Sequence, residues 1–396
     1  MKILVVHNRY LLRGGEDAVF EEETRQLREA GCEVRVHVRD NHEIEHLGGI
    51  RVALNSIWSP TTRSAMRQQL QDWRPDVVHV HNSFPLVSPS AYWAASRLGV
   101  PVVKTLHNFR LACLQGTFLR DGQACTDCLG RVPWRGVLRR CYHDSSSQSA
   151  VMATGLVGHR LLGTYRHEVA CFIALDESSV DAFVAAGVPR ERIRIKPNAV
   201  AMPALAPDDA AERAGGLYVG RFSAEKGIVS LAAALQVLGS PLFTAIGDGP
   251  LAGPLAATSA RMLGQCDSST VYAQMRRAAY LVLPSIGFEQ FPRVLAEAFA
   301  LGLPVIAAAR GSLANLVAPG RTGLLYEPGD AQALAGCIRW AEDHPAEMRA
   351  MGARCQEVYQ ARFTPEANLR ALLDIYQSVL PAQARRVPDT VPVHRT

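Results

Sequence analysis

Nowhere in the 396 residues is there an apolar run of the roughly 18 needed to cross a bilayer as a helix. The opening MKILVVHN carries one Lys and then an apolar run too short for the core of a secretory leader. The expectation is a cytoplasmic protein, free or resting on the inner face of the cytoplasmic membrane. Nine cysteines, an odd number with no leader before them, argue against a disulfide framework. Strong charge of one sign is missing as well. The net charge is +5, with 25 Lys/Arg against 20 Asp/Glu in residues 1–198 and 17 of each in 199–396. Such a surplus is too small for a nucleic-acid-binding face, and no nucleic-acid partner is expected. Between Lys104 and Arg140, however, the count is 7 basic to 2 acidic, which suits an acidic substrate or an anionic leaflet. The first glycine turn lacks GxGxxG spacing, which excludes a dinucleotide fingerprint there. No internal repeat or low-complexity block stands out.

What is present is the composition of a soluble globular chain, 48% hydrophobic and 20% charged, at a length that suits two domains. Short apolar runs read as strands at Ile3–Asn8, Val34–Val38, Val77–Asn82, Val102–His107 and Cys171–Leu175, separated by helical stretches. Arg192–Val200 ends this series. A second series runs Leu217–Phe222, Phe243–Gly249, YLVLPS, PVIAAA and Gly323–Pro328. Strand and helix alternating in this way predict a doubly wound parallel sheet in each half. The expected division is an N-terminal Rossmann-like domain over 1–200 with a cysteine-bearing insertion at about 109–145. A Pro/Ala/Asp-rich linker follows at 201–214, then a second Rossmann-like domain at 215–363. An amphipathic helix over 364–381 is expected to cross back to the first domain, and 382–396 reads as a disordered tail.

Three stretches carry chemical types worth pursuing. Gly14 and Gly15 precede a helix opening with Glu16 and Asp17, forming a strand–glycine–helix corner suited to an anion, or simply a tight turn with two acids that the helix dipole favours. Ser285–Gly311 places Glu289 in a strand-to-helix loop and Glu297 on the helix that follows, with Pro292 in its first turn and Gly302 at its end. Two helical turns span about 10 Å, roughly the distance from a sugar ring to the ribose of a nucleotide-sugar. Alone, the pair is equally a solvated helix charge and a helix-start acid. Cys113, Cys125, Cys128 and Cys141 read C-x11-C-x2-C-x12-C, four ligands for a closed tetrahedral zinc site, with reduced thiols and disulfides as the alternatives. The same segment carries Arg131, Trp134, Arg135, Arg139 and Arg140, a composition suited to a membrane surface or to a plain solvated loop.

GRFSAEKG at Gly220–Gly227, then GDGP, then the paired glutamates, resembles the family 4 glycosyltransferases of the GT-B fold, and the likeness extends to about Phe363. The early GGED and VHVHN are similar to members that build bacterial surface polysaccharides. The resemblance implies two facing Rossmann-like domains, a nucleotide-sugar donor on the C-terminal half, and a glycan or lipid-linked glycan acceptor on the N-terminal half. It implies retention of anomeric configuration with no metal holding the diphosphate, in keeping with the lack of a DxD acid pair. No cofactor is then required for transfer, and zinc is a structural candidate only. Arg221 and Lys226 are implied as the cations that meet the departing diphosphate, where fixed charge acts mainly in the transition state. Glu297 is implied to accept hydrogen bonds from the ribose hydroxyls, and Glu289 to face the donor sugar near its reacting carbon. Gly247, Asp248 and Gly249 let backbone approach the nucleotide, Phe291 joins the substrate contacts, and His107 stands near the donor sugar.

Departures from the family pattern are Asn108 where His is often followed by Asp, Asn315 where an acid is frequent, and Pro292 where many members have Gly, which removes a backbone donor. A GT-B-type nucleotide-sugar epimerase and a silent sugar-nucleotide-binding homologue that supports a partner enzyme are the competing readings. The phosphate loop argues against the first, and intact Arg221, Lys226, Glu289 and Glu297 against the second.

Overall fold

The computed structural model describes residues 1–11, 14–203, 213–239 and 241–381. Most of the proposed linker and the whole proposed tail, 382–396, therefore lie outside the described residues. Each half is a six-stranded parallel sheet wrapped by helices, the doubly wound α/β architecture expected from the strand and helix pattern.

In the first half the strands lie in the order Glu33–Asp40, Lys2–Arg9, Val77–Val80, Val102–Leu106, Cys171–Ala174, Ile193–Ile195. Period-two alternation decides what each face covers. Ile3 and Val5 point toward Phe20 and Leu27 of the helix Gly15–Glu29, whereas Leu4 and Val6 point toward Met66, Leu70 and Tyr92 on the opposite side. The helix Pro365–Val379 adds Leu372, Ile375 and Tyr376 to the first of these faces, so the end of the described chain packs on the N-terminal core.

The second half runs Arg261–Met262, Phe243–Ile246, Gly216–Val219, Tyr280–Leu283, Val305–Ala308, Gly323–Tyr326. Leu217, Leu281, Val305 and Ala307 fill one face, and Tyr218, Tyr280, Val282, Ile306 and Ala308 the other. Arg261–Met262, only two residues long, is a strand the apolar pattern does not reveal. Pro292 is the N-cap of the helix Arg293–Ala300 rather than part of its first turn, and Gly302 follows the helix with φ +63°.

The strand order fixes where ligands can sit. Gly216–Val219 pairs with Phe243–Ile246 on one side and with Tyr280–Leu283 on the other. Chain direction around the sheet reverses there, and in open α/β sheets the crevice beyond the strand ends at that switch is the usual binding place. The loops leaving these two central strands are Gly220–Gly227 and Ser285–Pro292.

Candidate active site

One cleft of about 290 Å³ is lined from both halves: Gly15, Glu16, His107, Asn108 and Asn198 from the first, Phe288, Glu289, Gln290 and Phe291 from the second. Nearly all of these residues follow the C-terminal end of a strand. Phe288 reaches across and packs on the N-terminal core, edge-on to Phe109 and Phe118 with centroids 6.3 and 5.8 Å away. A second contact joins the halves where Asn315 Nδ2 donates to Asp176 Oδ2 at 3.1 Å.

On the C-terminal side Lys226 and Glu289 meet directly, Nζ to Oε1 at 2.5 Å, and Ser285 Oγ donates to the same carboxylate oxygen at 2.7 Å. Burial alone would raise the Glu289 carboxyl, but Lys226, Ser285 and Arg221 outweigh it and hold the group below the usual carboxylate range. Arg221 is 70% exposed and, among the described residues, pairs with Glu225 at 3.2 Å. Glycine is required behind this loop. At Gly247, with φ +137°, a Cβ would fall 1.9 Å from the Gly220 carbonyl oxygen. At Gly227 it would fall 1.8 Å from that of Pro284. The GDG turn is thereby clamped to the Arg221 loop, with Phe222 N–H donating to Asp248 O at 2.8 Å. Asp248 itself turns inward on its own turn, accepting from Gly249 N–H at 2.7 Å.

Glu297 lies apart from the Lys226–Glu289 pair. Its partners are Tyr272 and, at 4.0 Å, Arg293. Burial dominates and raises its carboxyl, against the pull of Arg293 and Tyr272. The two glutamates of the motif are thus pushed in opposite directions. Phe291 is buried edge-on to Phe363, at 5.4 Å, while part of it still faces the cleft.

On the N-terminal side His107 ends a chain of buried polar groups. His107 Nε2 stands 3.1 Å from His81 Nδ1, and His81 Nε2 stands 3.5 Å from Glu23 Oε2. The other oxygen of Glu23 accepts from Lys196 Nζ at 2.5 Å, and Lys196 also donates to Asn368 Oδ1 at 3.2 Å. Burial, reinforced by lysine and histidine neighbours, holds His79, His81 and His107 well below the ordinary imidazole range, so all three are neutral at physiological pH. Lys104, brought down to about 8 by burial, donates to the His81 carbonyl at 2.6 Å.

Glu23, His79 and His81 form the group of metal-type ligands that closes to within 4.8 Å among the described residues. Both His79 ring nitrogens are already hydrogen-bonded, to Thr105 and Tyr376, and the Lys196 ammonium sits on Glu23. What is left of the group is Glu23 Oε2 and His81 Nε2, which face each other at 3.5 Å without a hydrogen bond among the described residues.

The glycine corner is more occupied than its sequence suggests. Gly14 N–H donates to Asp17 Oδ2 at 2.8 Å, and Asp17 Oδ1 lies 2.8 Å from His7 Nε2. Asp17 is therefore a buried capping residue, and Gly15 is the glycine that lines the cleft. Sequence reasoning passed over Glu16 as a cleft residue: Asn108 Nδ2 donates to its Oε1 at 2.8 Å and Tyr10 OH to its Oε2 at 2.9 Å. It also passed over Gln290, buried at the cleft wall with neither amide atom hydrogen-bonded among the described residues. The Asn108 amide was visible as a departure from the family pattern, but its partner lies 92 positions away. Cys113, Cys125, Cys128 and Cys141 gather around one small cavity next to this cleft.

Two facing Rossmann-like halves with a phosphate-type loop at the switch of the second define a GT-B protein. Two family models match along the chain: "Glycosyl transferase 4-like domain" over residues 14–199 and "Glycosyl transferases group 1" over 214–343. A D-inositol 3-phosphate glycosyltransferase of Segniliparus rotundus is 30% identical over 324 residues, covering 78% of this chain and 67% of that protein. A glycogen synthase of Mycobacterium tuberculosis is 29% identical over 300 residues, 72% of this chain and 64% of its own length. A putative teichuronic acid biosynthesis glycosyltransferase of Bacillus subtilis, TuaC, is 35% identical over 164 residues, 41% of this chain and 42% of that one. The chain thus spans less than two thirds of the glycogen synthase it matches. Among solved structures, Anabaena HepE in complex with UDP shares the fold with a TM-score of 0.65 at 19% identity, over 96% of this chain and all of that one. The chain belongs to the group 1, family 4 glycosyltransferases.

Proposed function

We propose that the protein is a retaining glycosyltransferase that moves a sugar from a nucleotide-diphosphate sugar to a glycan or lipid-linked glycan in polysaccharide biosynthesis. The observation that carries this reading is the shared cleft, with Glu289, ion-paired to Lys226, on one wall and Glu16 and His107 on the other. A donor diphosphate draws Lys226 from Glu289 and Arg221 from Glu225, and both cations then oppose the charge that grows as the glycosidic C–O bond breaks. The acceptor oxygen bonds to the same face of the sugar carbon, and its proton passes to the departing phosphate oxygen. Glu289, freed from Lys226, orients the sugar; Glu297 meets the ribose. Neutral His107, with its Nε2 against His81 Nδ1, leaves its Nδ1 to meet a sugar hydroxyl. The UDP bound by HepE makes a uridine nucleotide the first donor to try, and the name of TuaC supports a surface-polysaccharide acceptor.

A membrane-facing acceptor is supported by a second observation. The helix Gly49–Ile57 buries none of its residues, and it packs beside Ser146–Leu161, which packs beside Trp134–Leu138. These three helices expose Ile50 (82%), Leu54, Trp134, Leu138 and Leu161 (83%) next to Arg51, Arg135 and Arg140. Apolar side chains among arginines fit an anionic leaflet. No described helix is long and apolar enough to cross a membrane.

Thermal shift against a panel of nucleotide-sugars should pick out one donor by a raised melting point. An anomer-resolved NMR assay with that donor should then show retention; inversion, or turnover without any acceptor, overturns the reading. In flotation with phosphatidylglycerol vesicles, Trp134→Ala combined with Arg135→Glu and Arg140→Glu should lose binding; unchanged binding removes the membrane part alone.

A further inference from the structure

Cys113, Cys125, Cys128 and Cys141 are free, half-buried thiols, and all four line one small cavity of about 20 Å³ together with Phe118 and Arg120. That is room for one water-sized occupant. Gly136 closes the cavity: a Cβ there would come within 3.4 Å of Cys128 Sγ and 2.8 Å of Leu114. The side-chain-free face of the short helix Trp134–Leu138 is thus pressed onto the sulfur cluster.

The segment holding them has little regular structure, a hairpin of two-residue strands (Leu119–Arg120 with Gln123–Ala124) and one five-residue helix. It also concentrates backbone strain. Among the described residues seven non-glycine positions have positive φ, and five of them are Phe118, Asp121, Arg140, His143 and Asp144. Strain of this kind persists only where the surroundings over-determine it, and a loop this poor in core of its own needs a cross-link. The neighbouring charge fits a particular one. Zinc with four thiolates carries a net charge of minus two, and Arg120 lines the cavity while Arg139 is paired to Asp127 beside Cys128. The basic excess between Lys104 and Arg140 lies around this point.

We propose that Cys113, Cys125, Cys128 and Cys141 bind one zinc ion as thiolates in a closed tetrahedral site, releasing their protons to solvent. No three of the sulfurs stand within 4.8 Å of one another, so binding draws them inward from the cavity walls. The site is structural, and what it holds is the cleft wall. Phe109, Gly116 and Thr117 line the cleft from this same segment, and Phe118 touches both the thiol cavity and Phe288, the neighbour of Glu289. The proposal does not depend on which sugar is transferred.

The test uses the whole protein, purified without added metal or chelator. Elemental analysis and native mass spectrometry should find about one zinc per chain, and Cys113→Ser or Cys128→Ser should lower it below about a tenth. Cys266→Ser, outside the cluster, should leave it unchanged. Cobalt added alone to chelator-stripped protein should give the visible bands of a tetrahedral thiolate site, a readout independent of whether any serine variant folds. Four thiols that alkylate freely in the native wild type, with less than about a tenth of a zinc per chain even after incubation with zinc alone, overturn the proposal. Iron in place of zinc overturns it too.

Discussion

The two sheets have the same number of strands and opposite habits with polar residues. In the C-terminal half the four-residue strands are almost wholly apolar, and the charges that matter stand in loops, Arg221 largely in solvent and Lys226 partly buried against Glu289. The N-terminal half carries polarity inside the sheet and at its strand ends. His7, His79, His81, Lys104 and Lys196 are all nine-tenths or more buried. Lys196 and Glu23 form an ion pair with both side chains buried, tied by Asn368 to the helix that packs back from the end of the chain. Arg221 can leave Glu225 cheaply, because exposed pairs are worth at most about 1 kcal/mol, whereas the partly buried Lys226–Glu289 pair costs more to part. The N-terminal charges cannot, since losing one partner of a buried pair strands the other. One half is a fixed floor and the other a set of movable hands.

That contrast can be broken most forcefully at Lys196. Lys196→Met should cost about 3–5 kcal/mol in urea unfolding by leaving Glu23 buried and alone, and adding Glu23→Gln should recover much of it. A stability loss under 1 kcal/mol, on the order of an exposed pair, would erase the distinction. Lys226→Ala should differ, with kcat/KM lower by about 10²–10³ and only a modest fall in melting temperature as Glu289 loses its partner. Smaller still is the seam between the halves. Asn315→Asp faces Asp176 with a like charge, and should raise KM about tenfold, some 1.4 kcal/mol, with an enlarged radius in small-angle scattering.

The smallest effects separate the two glutamates by sign. Glu289 is depressed when folded, so the stability it contributes is present above the ordinary carboxylate pKa and lost as pH falls through its lowered value. Glu297 is raised, so the folded state binds more protons than the unfolded chain in the window above the ordinary value, and stability falls as pH rises through it. At neutral pH Glu289→Gln should lower the melting temperature and Glu297→Gln raise it. Thermal melts from acid to neutral pH check both, and the two differences should shrink together toward acid.

How much was legible in the sequence follows the same division. Arg221, Lys226 and Glu289 sit in two continuous loops leaving neighbouring strands, so local order was enough to bring them to one place. The apolar runs gave the strands because four buried β residues leave little else to read; Arg261–Met262, two residues with one exposed, left no such pattern. The floor of the cleft was not legible. It rests on contacts such as Tyr376 with His79, 297 positions apart, and Lys196 with Glu23, 173 apart. Nor does a loop motif say that Lys226 spends its charge on Glu289 when no donor is bound. Asn315 was noticed as an amide in place of an acid, but its meaning needed Asp176, which only the packed halves supply.

The most direct measurement is calorimetric titration of the donor's nucleoside diphosphate into the wild type and into Lys226→Met. The expected result is binding weakened at least about tenfold in the variant, with heat in the wild type that includes release of Lys226 from Glu289. Equal affinity in the two proteins would contradict it, because the loop at the switch of the second sheet would then not be where the diphosphate lies.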